Sequence, residues 1–205
     1  MNIFYLDKNT VKCAKYHNNK HVVKMILETA QLLSTAHRVI DGWKHTFIQH
    51  TALKQHGIQH GEPLTLMALS RVSKKIEYKL PTGLDELLYK ATHINHPSSV
   101  WVRYSKQNYM WLHQLLVDLC WEYTHRYGKV HLCERKGLVA KLATAPSGIH
   151  DLGFTEPTPA MPDEYKVAGD SIQSYRRYYI EAKQELAQWK NRDVPSWYKL
   201  KEVLL

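Results

Sequence analysis

Three cysteines, Cys13, Cys120 and Cys133, are too few for a disulfide framework and form no Cys-x-x-Cys pair. A stapled secreted domain and a zinc ribbon are therefore not indicated, and a reducing cytoplasm is the expected compartment. No apolar run approaches the roughly 18–20 residues that a bilayer span requires, so no membrane partner is expected. The opening Met1-Asn2-Ile3-Phe4-Tyr5-Leu6-Asp7 has no basic lead-in and does not read as an export signal. A Gly-rich phosphate loop, a nucleophile elbow, an internal repeat and a low-complexity tract are all lacking, and no cofactor is expected.

Acidic residues are also scarce. Asp and Glu total 19 against 28 Lys and Arg, a net charge of +9 with histidines neutral. A basic chain of this size suits a polyanion, because its cations displace counterions from phosphates. With 44% hydrophobic and 23% charged residues, the 205-residue chain has enough apolar material for one packed domain spanning 1–205.

The pattern predicts a mainly α fold. Residues 11–40 read as helix, with a break near Asn18-Asn19; Val22, Val23, Ile26, Leu27, Ala30, Leu33, Val39 and Ile40 recur at helical spacing, and Asp41-Gly42 stops it. Residues 43–80 show no clear period and are expected to form an arm or insertion. Thr82 caps an expected helix over Leu84–Ala91, with Asp85 and Glu86 in its first turn. A loop at His96-Pro97-Ser98-Ser99 precedes a long helix from Ser105 to Tyr127, whose inner face carries Tyr109, Leu112, Leu116 and Leu119 and which Gly128 ends. A short helix near 131–143 leads into 144–169, where four prolines and three glycines predict an irregular loop. A helix over Asp170–Lys190 and a tail punctuated by Pro195 complete the chain.

The first long helix carries a polar stripe. His17, His21, Lys24, Glu28, Gln31, Thr35 and Arg38 follow at alternating steps of four and three residues, which puts them on one face. The stripe has few of the Glu/Lys pairs that coat a solvated helix, so it is expected to line a cleft that holds a base or sugar against Glu28. Lys24 sits one turn before Glu28 and suits either an ion pair with it or, in a dry site, an imine-forming amine. Cys13, His17 and His21 also lie at four-residue steps, and His131 is close to Cys133. Neither group has an identifiable fourth ligand, and no metal is expected.

Three segments carry a family resemblance. His21-Val22-Val23-Lys24-Met25-Ile26-Leu27-Glu28 resembles the helix of the phage pyrimidine-dimer DNA glycosylases (endonuclease V type), where a His is followed seven residues later by the catalytic Glu. His96, Val100-Trp101 and Arg126-Tyr127-Gly128 match that family's histidine-led aromatic turn and the long helix closing on Arg and Gly. Pro195-Ser196-Trp197-Tyr198-Lys199 is similar to its C-terminal Pro-Thr-Trp-Tyr-Lys. The resemblance implies a compact helical enzyme that grips kinked, damaged or modified duplex DNA and cleaves an N-glycosidic bond. It implies an imine between a chain-terminal amine and the deoxyribose, with Glu28 as the assisting carboxylate and His21 as a substrate or phosphate contact. Trp197 and Tyr198 would then lie near the lesion.

Counting back from Glu28, the position of the family's amine falls on Asp7. Two carboxylates around a glycosidic carbon suit hydrolysis, one activating water while the other stabilises positive charge. Asp7 and Glu28 are therefore expected together, in an N-glycosidase without lyase activity. His96 and Arg103, at a loop-to-helix junction, are expected to bind substrate. Lys20, Arg176, Arg177 and Lys183 are expected on phosphates, whereas Tyr175, Tyr179, Leu186 and Trp189 fit a core. His37, His45, His50, His56 and His60 follow no ligand spacing and read as solvent-facing. Two other functions fit the same residues: noncatalytic capture of a nucleotide or nucleic acid, as in a phage counter-defence protein, and processing of a modified nucleotide.

Overall fold

The computed structural model describes residues 1–52 and 70–199. The fold is mainly helical, with one two-stranded sheet. Residues 1–8 form neither helix nor strand, and Ile3, Phe4, Tyr5 and Leu6 are buried in the core. Around them pack α1 (Thr10–Tyr16), α2 (Asn19–Ile40), α4 (Pro97–Tyr104), α5 (Lys106–Tyr127) and α8 (Ser171–Ala182). Short helices α3 (Leu84–Leu87), α6 (Leu132–Arg135), α7 (Leu138–Lys141) and α9 (Ser196–Lys199) fill the edges.

Local chemistry sets the boundaries. Asn18 breaks the first helical run by capping α2, its side chain accepting the His21 N–H at 2.9 Å. Ser105 caps α5, and Gly128 ends it in the left-handed conformation at φ 64°. Tyr109, Leu112, Leu116 and Leu119 are fully buried along α5, as the spacing predicts. Residues 144–169 are irregular apart from a single turn at Asp163–Tyr165.

Three expectations need correction. The loop at 96–99 is the start of α4, because His96 caps a helix whose first position is Pro97, a residue that lacks the N–H a helix start leaves unused. The helix expected over Leu84–Ala91 is the single turn α3, preceded by Gly83 rather than capped by Thr82. The last long helix stops at Ala182, followed by a tight turn at Gln184–Leu186. The arm within 43–80 is an antiparallel ribbon, β1 (Trp43–Ala52) paired with β2 (Ser70–Lys79), in register from Trp43↔Lys79 to Ala52↔Ser70. Its alternation is masked in the sequence because both ribbon faces mix apolar and charged residues.

Two buried arginines tie distant segments together. Arg38 is completely buried; it pairs with Asp85 at 2.5 Å and donates to the carbonyls of Tyr78, Asp85, Leu88 and Tyr89. This holds the root of the ribbon and the chain after it against the end of α2. Arg126 pairs with buried Glu122 at 2.6 Å and reaches Lys15 O and Asn19 Oδ1 at the α1–α2 elbow. Glu122 also accepts from Arg192 at 2.9 Å, which fastens the C-terminal segment to α5. Among the described residues no helix is long and apolar enough to cross a membrane.

Candidate functional site

Three of the seven stripe residues open outward. Glu28 is part-buried, its side chain 13% exposed, whereas Lys24 is 58% exposed and Gln31 is half-buried. The others are not cleft-lining groups, because each is used inside the fold. His17 belongs to the end of α1 rather than to α2; it is fully buried, with Nδ1 2.7 Å from Cys13 O. His21 stacks on Phe4 at 4.2 Å between centroids, and its Nδ1 lies 2.5 Å from the Tyr179 hydroxyl. Thr35 Oγ1 accepts the Thr92 N–H at 3.2 Å, and Arg38 is consumed as described. The stripe is one face of α2, but it is covered at both ends. The expected inward apolar residues Val23 and Leu27 are correspondingly exposed, at 41% and 39%.

Both Glu28 oxygens are engaged. Lys24 Nζ lies 3.0 Å from Oε1, so the lysine takes the ion-pair role. The main-chain N–H of Asn2 donates to Oε2 at 3.1 Å. Asn2 reaches this place because Phe4 stacks beside His21, two turns earlier on α2, so residues 4 to 2 run alongside the helix toward Glu28. Seven helical residues rise about 10 Å; two residues of chain reach about 7 Å of that, and the Glu28 side chain spans the rest. Phe4 adopts φ 52°, costly for a bulky side chain, and is held there by His21, Tyr175, Tyr178 and Tyr179. The Asn2 side chain is tied as well, donating to Ala160 O at 2.8 Å and accepting the Ile3 N–H at 2.9 Å. The loop 144–169 thus helps to position the start of the chain.

Asp7 is not joined to Glu28. Its Oδ1 accepts the Asn9 N–H at 2.9 Å, just ahead of α1, and its Oδ2 faces Arg176 at 3.4 Å. The backward count from Glu28 overlooks how chain is spent: α1 and its elbow occupy the residues between, and the start of the chain returns Asn2 to the carboxylate. Asn2 was missed for that reason. The signal that could have found it is the buried apolar run Ile3–Leu6, which must pass through the core beside α2.

His96 completes the cluster. Burial pushes its pKa down, the positive charge at the Met1 nitrogen and at His93 adds to that, and the Glu28 carboxylate opposes it. Because Nδ1 accepts the Ser98 N–H at 3.2 Å, a neutral ring carries its proton on Nε2 and presents a donor there. Arg103 does not face substrate; it donates to Ile94 O at 2.9 Å and Ser99 Oγ at 2.8 Å, clamping the loop on both sides of His96. Asn95 and Pro97, which flank His96, line a cavity of about 570 Å³ with Val100, Trp101 and Tyr104.

The remaining expected contacts are spread out. Lys20 is exposed on α2, one turn before Lys24. Lys183 sits 4.7 Å from the Tyr178 ring centroid. Arg176 donates to Leu6 O at 2.9 Å and lies over Trp197, and Arg177 pairs with Glu181 at 2.9 Å. Trp197 packs on Tyr16 and Tyr179, and Tyr198 on Trp189. Arg176, Arg177 and Trp197 line a separate cavity of about 650 Å³. Tyr175, Tyr179 and Trp189 are buried, as the core reading requires.

Of the five scattered histidines, His37 is buried against the Tyr109 hydroxyl at 3.0 Å rather than solvent-facing, and His45 is exposed on the ribbon. The side chain of His50, and all of His56 and His60, lie outside the described residues. Among the described residues no three His, Cys, Asp or Glu side chains are grouped to hold a metal ion. Compared with known proteins, the chain matches no family model, no curated protein and no solved structure.

Proposed function

We propose that this protein is a DNA N-glycosidase of the pyrimidine-dimer glycosylase type, with Glu28 as its catalytic carboxylate. The observation that carries the reading is the convergence of the Asn2 main-chain nitrogen and Lys24 on the two oxygens of Glu28. Cleaving a base–sugar bond builds positive charge on C1′, and a carboxylate held from both sides can face that charge without swinging away. In the hydrolytic course a water oxygen bonds to C1′ as the C1′–N bond breaks. The water proton passes to Glu28, and the leaving base takes its proton from solvent. His96 Nε2–H offers a hydrogen-bond donor to a base or phosphate oxygen. Exposed Lys20 and Lys24, one turn apart on the helix that carries Glu28, suit the DNA backbone.

The resemblance brings an imine course as well, and here the nitrogen next to Glu28 is that of Asn2, not a group near Asp7. One experiment separates the courses. Ultraviolet-irradiated and unirradiated DNA are each incubated with the protein, with and without borohydride. Base release that Glu28→Gln abolishes, without trapping, supports hydrolysis. Covalent trapping supports the imine, and mass spectrometry of the adduct identifies the Met1 α-amine or Lys24 as the amine, since the Asn2 nitrogen is a peptide amide that cannot form one. No base release from either DNA rejects the proposal.

A second reading draws on the engagement of Asp7 with Arg176, which leaves Glu28 without a partner carboxylate. The same window would then capture a nucleotide or nucleic acid without cleaving it. Capture of a nucleotide raises the melting temperature when a small phosphorylated ligand is added, with no DNA present.

A further inference from the structure

The ribbon is not used by the site around Glu28, yet its exposed residues share one chemistry. Residues 43–49 and 73–79 carry four lysines, Lys44, Lys74, Lys75 and Lys79, against one acid, Glu77. Glu77 is neutralised internally by Lys79 and Lys90. Lys74 and Lys75 have no acidic partner among the described residues, and Lys44 lies 6.0 Å from the Tyr78 ring centroid.

Pairing register divides the ribbon into two faces. His45, Phe47 and Gln49, with Lys75 and Glu77 across from them, lie on one face; Phe47, Gln49, Lys75 and Glu77 border a small cavity with Lys90, Ala91 and Ile94 of the body, which Ile76 and Tyr78 also edge. Lys44, Thr46, Ile48, Lys74, Ile76 and Tyr78 lie on the other. There Ile48 is 67% exposed and Ile76 60% exposed, diagonal neighbours across the strands. Branched apolar residues between unpaired lysines, on an open strand pair, make an unfavourable solvent surface with no internal purpose.

We propose that this face enters the major groove of B-form duplex DNA; the proposal rests on the reading of the protein as one that acts on DNA. Two strands of ten residues form a ribbon about 30 Å long, and the B-form major groove, about 12 Å wide, admits a two-stranded ribbon. Ile48 and Ile76 then meet base edges and thymine methyl groups, while Lys44 and Lys74, on the same face, reach the flanking phosphates. The deep, narrow major groove of A-form RNA excludes the same ribbon, so duplex DNA is the committed partner. Arg38 bonds Tyr78 O and so fixes the ribbon to the helix that carries Glu28.

Fluorescence anisotropy with an undamaged duplex, over a salt series, tests this directly. The slope of log affinity against log salt is expected to fall by about 2 in the double variant Lys44→Gln, Lys74→Gln, since each phosphate contact contributes about 0.9. Duplex RNA of the same sequence is expected to bind the wild-type protein at least about tenfold more weakly. No binding of wild type to DNA, an unchanged slope in a folded variant, or equal affinity for RNA overturns the proposal. The RNA comparison needs only the wild-type chain, so it decides the matter even if the variant does not fold. Base release is scored separately. Ribbon-dependent DNA binding without base release rejects the glycosidase alone, and base release with an unchanged slope rejects the ribbon alone.

Discussion

Lowering the pH should destabilise the fold well before its carboxylates titrate, because two histidines are buried in their neutral form. His17 is fully buried and desolvation pushes its pKa down to about 4; His21 is pushed down to about 3, chiefly by desolvation, then by His17 and Lys24. In the unfolded chain both titrate near the ordinary 6.5. Between about pH 6.5 and about pH 4 the unfolded chain therefore holds two protons that the folded chain rejects. Their stabilising contribution is complete above 6.5 and is lost as the pH falls through that window. Each such proton costs about 1.4 kcal/mol per pH unit, so the two together remove about 3 kcal/mol between about pH 6.5 and about pH 5. That is a large part of the roughly 5–15 kcal/mol that holds a domain together. His37, also lowered by desolvation, adds in the same direction. Asp85, held down to about 2 mainly by its hydrogen bond from Arg38, contributes only at lower pH, once unfolded carboxylates begin to protonate. Urea unfolding followed by tryptophan fluorescence across this window measures the slope. His17→Gln, which keeps an amide donor near Cys13 O, should lower the slope by about 1.4 kcal/mol per pH unit. A stability that stays level between pH 6.5 and 5, or an equal slope in the variant, refutes the reasoning.

Three further outcomes follow from packing. Arg38→Ala should cost about 3–5 kcal/mol, because Asp85 and four carbonyls lose their donor, and Arg38→Lys should restore little of it, since an ammonium lacks the planar fork; thermal melts compare the two. Glu122→Ala leaves buried Arg126 without its carboxylate and should lower stability by about 3–5 kcal/mol in urea titrations, with faster proteolysis of the released C-terminal segment. Gly42→Ala should destabilise by about 1–3 kcal/mol, because a Cβ there would stand 2.3 Å from Arg38 O and 2.6 Å from Lys79 O, and neither backbone atom can yield; a melting temperature equal to wild type contradicts it.

The parts of the fold that were legible in the sequence are those whose signals are local. Asn18, Ser105 and Gly128 mark helix ends by short-range bonds, and the apolar period of α5 needs no partner to be recognised. The ribbon and α4 were not legible. Residues 43–49 alternate, but both faces are mixed, so no binary pattern emerges, and Pro97 reads as a loop until His96 is seen to cap the helix. Glu28 stood out within its stripe, whereas its neighbours on that stripe were misjudged. His21 and Arg38 find their partners 158 and 40 residues away, at Tyr179 and Tyr78, and such pairings leave no trace in spacing. Asn2 was hidden for the same reason, its contact with Glu28 spanning 26 residues.

The threading of Ile3–Leu6 through the interior has a practical side. Anything joined ahead of Asn2, whether a purification handle, a reporter or a longer natural leader, must leave the molecule past the Glu28 side chain and would crowd whatever docks there. A handle on the opposite terminus avoids that doorway, and comparing the two placements in an otherwise identical preparation reports how much room the entrance allows.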